Sequence, residues 1–108
     1  MDSKLLLKGR AAAEPSVNNT AKGHKVARVR LAVTTQEFNS ERYETEAKTT
    51  WYTIVFWDDL ANLAEKYISK GTEISLGGYP RENEWIGKDG QRRTSTEIHA
   101  TEFRVTSV

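Results

Sequence analysis

Between Lys25 and Val33 the side chains alternate without a break, with Ala27, Val29, Leu31 and Val33 on one side and Arg28 and Arg30 on the other. A period of two is the signature of an extended strand with one dry face and one wet face. The pattern returns from Thr49 to Trp57, where Tyr52, Ile54 and Phe56 oppose Trp51, Thr53, Val55 and Trp57. This time large side chains occupy both faces. With 108 residues and no cysteine, the chain has room for one domain, and neither disulfides nor the usual structural zinc sites can hold it together. Stability must come from packing.

The segments around these two strands supply the rest of the architecture. Lys4 to Arg10 is an apolar run with a polar flank, and it ends in a loop rich in turn formers: Glu14-Pro15, Asn18-Asn19 and Gly23. Gln36 to Lys48 is polar and rich in glutamate, interrupted only by Phe38 and Tyr43, which suggests a hairpin arm carrying two stranded aromatics. Leu60, Leu63, Ala64, Tyr67 and Ile68 recur at helical spacing, with Asp58 or Asp59 as the cap and Lys70-Gly71 as the stop. Thr72 to Gly78 reads as a strand with Ile74 and Leu76 inward, Gly77-Gly78 marks a bulge or bend, and Pro80 weakens the ladder. A second arm runs through Trp85 to a Lys88-Asp89-Gly90 turn, and Thr94 to Val105 returns as the last strand. Its inward parity shifts between Ala100 and Phe103, which implies another bulge, a device for curving or closing a sheet. Three strands, one helix and two strands over residues 1–108 predict an all-β, five-stranded Greek-key barrel of the OB type, with one α-helix between strands 3 and 4.

Catalysis has little to work with. His24 and His99 share no metal or triad spacing, and Glu37, Glu41, Glu44 and Glu46 lack the glycine and ligand order of a calcium loop. No phosphate loop, dinucleotide fingerprint or serine elbow is present. No enzyme, metal, cofactor or small-molecule substrate is expected. No apolar run is long enough to span a bilayer or to form the centre of a signal peptide, so a cytoplasmic chain with no membrane partner is expected.

The net charge of +1 conceals an asymmetry, because residues 1 to 36 stand at +5 while the two later thirds are acidic. A polyanion would be drawn to the first strands, although such a surface also serves solubility. The aromatics narrow the choice. A tryptophan in a strand is ordinarily core. Yet Trp51 and Trp57 oppose the Tyr52, Ile54 and Phe56 set, and Phe38 and Trp85 lie on polar arms with no apolar periodicity to bury them. Open rings flanked by Arg28, Arg30, Lys48, Arg81, Arg92 and Arg93 are what a single-strand binder needs, since bases stack on rings and cations track the backbone.

Lys4 to Arg10 followed by Glu14-Pro15, Val26 to Thr34, Thr50-Trp51-Tyr52 to Trp57, Leu60-Ala61, Tyr67 to Gly71, and Trp85 to Glu97 together resemble bacterial single-stranded-DNA-binding proteins over nearly the whole chain. The resemblance implies an OB fold that coats single-stranded DNA in replication, recombination and repair. It places the stacking rings at Phe38, Trp51, Trp57 and Trp85 and basic contacts at Lys70, Arg81 and Arg93. With Arg10, Arg28, Arg30 and Lys48 these form the expected DNA-binding set. The resemblance also implies a homo-oligomer, usually a tetramer; Tyr52 stands where many members carry a histidine near the assembly interface, which leaves a dimer open. Asp58-Asp59 stands where the family typically has a glycine and a basic residue, and Asn83 and Glu84 replace positions that are often basic. These departures imply weaker phosphate contact and a shallower salt dependence, roughly −0.7 in slope for each phosphate neutralised. Two other readings of the same fold act through protein contacts: a replication-restart accessory, and a structural subunit with Trp51 and Trp57 buried in an interface.

Overall fold

The computed structural model describes residues 3–106. Seven elements follow one another: β1 (Leu5–Ala11), β2 (Ser16–Asn19), β3 (Lys25–Asn39), β4 (Glu44–Trp57), α1 (Asp59–Tyr67), β5 (Glu73–Ile86) and β6 (Arg92–Val105). The sheet order is β1-β5-β6-β4-β3-β2, and a further pairing of β1 with β3 closes it into a ring. The short β2 lies within the stretch expected to be loop. It pairs with β3 at Ser16↔Arg28 through Asn19↔Lys25, continuing along β3 from where β1 leaves it at Ala11↔Leu31. β1 and β2 thus make one interrupted barrel strand, the barrel keeps five strands, and the helix falls between the third and fourth of them. Asn18 and Asn19 are strand residues because β3 offers them a ladder; the turn itself is Thr20–His24, closed by Thr20 N–H donating to the His24 carbonyl.

Alternation decides what the barrel encloses. Ala27, Val29, Leu31, Ile54, Phe56, Ile74 and Ile98 are buried, and Phe103 meets Phe56 edge to face at 5.0 Å between centroids. The ring closes tightly at Gly9, where a Cβ would collide with the carbonyl oxygen of Ala32. The bulge expected from the parity shift is present: Gly77 pairs with Glu102 but Gly78 with Ala100, leaving Thr101 over. Thr101 donates its hydroxyl to the Gly77 carbonyl at 3.2 Å. Pro80 does not end the strand. It faces Ile98 in unbroken register, and β5 runs on to Ile86.

The helix buries a narrower stripe than its spacing suggests. Ala61, Ala64 and Ile68 are buried, whereas Leu63 and Tyr67 stay exposed. Lys25 ties α1 to β3, its Nζ donating to Asn62 Oδ1 at 2.7 Å and Glu65 Oε1 at 2.6 Å. Asp58 occupies the N-cap position but makes no side-chain cap bond. Its carboxylate turns back instead, 3.2 Å from His24 Nδ1 and 3.3 Å from the Lys25 amide. Its backbone sits at φ 52°, ψ −115°, a region that favours glycine.

That conformation costs an L-residue about 1–3 kcal/mol, while the exposed carboxylate contacts return less than about 1 kcal/mol. Asp58→Gly is therefore expected to stabilise the fold by about 1 kcal/mol, read as a higher Tm; an unchanged or lower Tm would show that the His24 and Lys25 contacts outweigh the strain.

Candidate nucleic-acid interface

The outer surface is built from the strand residues that the core does not use. In register, Arg30 pairs with Thr53 and Ala32 with Trp51 between β3 and β4. Thr53 and Val55 then pair with Glu97 and His99 of the parallel β6. On the far side, Arg81 meets Glu97, Asn83 meets Ser95 and Trp85 meets Arg93. Residues paired in this way share a face. Phe38, Trp51, Trp57 and Trp85 therefore all have the outward parity of one continuous β3-β4-β6-β5 surface. They are 65%, 50%, 36% and 46% exposed, too open for core residues.

The same parity sorts the charges. Arg28, Arg30, Arg81 and Arg93 stand on the ring side. The arm carboxylates Glu37 and Glu46, and Glu82 and Glu84 on β5, occupy the other parity. Glu84, a departure that implied weaker phosphate contact, thus points away from its neighbour Trp85. Arg30 lies 5.7 Å from the Trp51 ring centroid and donates to Thr53 Oγ1 at 3.2 Å. Arg93 faces Trp85 across the ladder and pairs with Asp89 at 3.0 Å.

Two of the expected basic residues stand apart from the rings, and a third, Arg10, shares their parity at the edge of the face. Lys48 pairs with Thr35 on the opposite face of the arm, 3.7 Å from Glu37. Lys70 is in the loop after α1, where its amide donates to Glu14 Oε1. Arg10 is outward on β1, beyond Ala32 from Trp51, with its guanidinium donating to the Gly71 carbonyl at 3.0 Å and 3.7 Å from Glu73. Strand parity could have separated Lys48 from the rings in the sequence; the loop position of Lys70 and the bonds of Arg10 depend on the closed barrel.

Beneath Trp57 is a polar cluster that the sequence did not announce. Trp57 Nε1–H donates to His99 Nδ1 at 3.1 Å, and His99 Nε2 lies 3.7 Å from Glu97 Oε1. Glu97, nearly buried, accepts from Arg28 Nε at 3.1 Å and from Asn83 Nδ2 at 2.7 Å. Val26 and Val55 share the outward parity yet are buried, forming an apolar floor under this cluster. Burial by itself would raise the Glu97 carboxyl, but the hydrogen bonds from Arg28 and Asn83, with the charges of Arg28 and His99, hold it below the usual range. Burial pushes the His99 imidazole down, and Arg81 and Arg28 add to this against the pull of Glu97.

The comparisons with known proteins bear on the whole chain. The sequence profile of the Single-strand binding protein family matches residues 2–106. The chain belongs to that family. Among its relatives are single-stranded DNA-binding protein 1 of Xylella fastidiosa, 30% identical over 95% of this chain and 76% of the relative, and the single-stranded DNA-binding protein of Xanthomonas campestris, 31% identical over 95% of this chain. The chain spans 59% of the length of the Xanthomonas protein. Of solved structures, the Plasmodium falciparum SSB complex with ssDNA superposes with a TM-score of 0.90 at 27% identity, covering 99% of this chain and 96% of that one. The small single-stranded DNA-binding protein from Streptomyces coelicolor gives 0.77 at 24% identity over 97% and 94%, a likeness of fold. The family's OB barrel is the fold described above.

Because both folded-state shifts are downward, the unfolded chain binds more protons as the medium acidifies, and stability is lost with falling pH. The His99 contribution is full above about pH 6.5 and fades as pH falls through its lowered folded value; that of Glu97 follows in more acid solution. Thermal melts are expected to show Tm declining below about pH 6.5 in wild type, with the first part of the decline absent in His99→Asn. A Tm indifferent to pH across that range would refute the burial of His99.

Proposed function

We propose that this chain binds single-stranded DNA without sequence preference, stacking bases on Phe38, Trp51, Trp57 and Trp85 while Arg28, Arg30, Arg81 and Arg93 meet the phosphates. The observation that carries the reading is the shared parity of four open rings and four arginines on one uninterrupted sheet surface, with Glu37, Glu46, Glu82 and Glu84 on the opposite face. Each stacked base contributes about 1–3 kcal/mol and offers a π-face whatever its identity, so affinity comes without base readout. Arg10 extends the ring face onto β1, and Lys48 and Lys70 belong to the same reading as outlying cations that a long strand reaches after leaving that face.

Residues 1–108 act as one binding unit and carry out no reaction: on the ring face, His99 and Glu97 are committed to hydrogen bonds with Trp57, Arg28 and Asn83. Coating of exposed strands during replication, recombination and repair is the corresponding role, performed as a homo-oligomer, a tetramer or a dimer. Among the described residues no helix is long and apolar enough to cross a membrane, and the reading puts the chain with DNA in the cytoplasm. The arginines interleaved with the rings on one face favour stacking over the readings in which the rings are sealed in a protein interface.

Trp51→Ala and Trp85→Ala are each expected to weaken binding to oligo-dT by about 1–3 kcal/mol with Tm nearly unchanged. Ile54→Ala, which empties a core position, is expected to cost about 2–5 kcal/mol of stability. Fluorescence anisotropy beside thermal melts separates the two classes, and a large fall in Tm for either tryptophan variant with affinity retained would sink the assignment.

A further inference from the structure

Of the four rings, Trp57 is the least exposed, and its indole N–H has a partner on the surface beside it. An indole N–H can only donate, so His99 Nδ1 must accept, and the neutral imidazole then carries its proton on Nε2, the nitrogen nearer Glu97. The two rings lie 6.0 Å apart between centroids with planes tilted by 34°, which leaves the hydrogen bond as the specific restraint between them. Glu97 is itself fixed from two other strands, by Arg28 on β3 and Asn83 on β5.

We propose that His99 is a positioning residue for the single-strand site: it holds the Trp57 ring by accepting its N–H, beside a Glu97 carboxylate that Arg28 and Asn83 hold in place. The proposal rests on the stacking role of Trp57 given above. Its consequence is that the platform is set in one state of the histidine and released in the other, because a proton on Nδ1 removes the acceptor. The titratable and charged groups facing His99 are Glu97 on its own strand, Arg28 from β3, and Arg81 and Tyr79 from β5, the last directly opposite in register. Its lowered pKa, caused by burial and opposed by Glu97, keeps the accepting form populated at neutral pH.

The test isolates Trp57 and then changes its partner. A W51F/W85F chain retains Trp57 as its one tryptophan, so emission without DNA reads the Trp57 environment directly. That emission is expected to change with pH, with a midpoint below the ordinary histidine range, and to be flat in His99→Asn and His99→Leu. Asn places an acceptor oxygen where Nδ1 stands and cannot be protonated, whereas Leu places none. In otherwise wild-type chains at high salt, where the added imidazolium charge is screened, His99→Leu is expected to bind oligo-dT about fivefold more weakly at pH 8. His99→Asn is expected to stay within about twofold of wild type, and acidification should weaken wild type but not the Asn variant. Equal affinity of the Leu variant and wild type, or a pH-dependent emission that persists in the Asn variant, would overturn the proposal. Wild type that binds no oligo-dT at any pH would instead refute the single-strand reading, and the role of His99 with it, even where emission shows the two rings coupled.

Discussion

The parallel contact of β4 with β6 is what makes one surface out of two hairpins. β3 and β4 form one antiparallel pair and β5 and β6 another, and Thr53↔Glu97, Ile54↔Ile98 and Val55↔His99 are the pairs that join them. On the inner side this junction puts Ile54 beside Ile98, both buried, at the centre of the core. On the outer side it brings Glu97 and His99 alongside the strand that carries Trp51 and Trp57. The hydrophobic packing that stabilises the barrel and the juxtaposition that builds the interface are therefore opposite faces of the same three residue pairs.

From that junction the face acquires its character by parity alone. A residue on these strands can point only inward or outward, and a slip of one residue would exchange the rings for their neighbours. Phe38 stands on a long arm because β3 and β4 keep pairing out to Asn39↔Glu44, well beyond the barrel. Asn39 shapes the arm's tip, its side-chain oxygen accepting from the amides of Glu41 and Arg42. Trp85 is placed by the other arm, with Arg93 across from it. A strand of nucleic acid crossing such a face meets rings separated by arginines, the arrangement that sequence-tolerant binding requires.

Much of this was legible in the sequence, and the reason is specific. Alternation at Lys25–Val33 and Thr49–Trp57 assigns faces without knowledge of partners, so the core set and the outward tryptophans could be read directly. The parity shift near Ala100 located the bulge for the same reason. What could not be read was whatever depends on which strands become neighbours. β2 hid among turn-forming residues because its strand character comes from β3. Asp58 reads as a helix cap by type, yet its backbone and the nearness of His24 and Lys25 give its carboxylate other work. Asn83, a departure from a basic position, is the residue that secures Glu97. His99 looks like an unremarked strand histidine until the parallel register sets it beside Trp57.

Intrinsic tryptophan fluorescence titrated with oligo-dT, at low and high salt and beside a duplex of equal length, reads whether the open rings of the β3-β4-β6-β5 face receive the bases of a single strand. Strong quenching by the single strand is expected, weakened by salt and absent with the duplex. Emission that oligo-dT leaves unchanged even at low salt would contradict it, and would make these rings a surface for protein rather than for DNA.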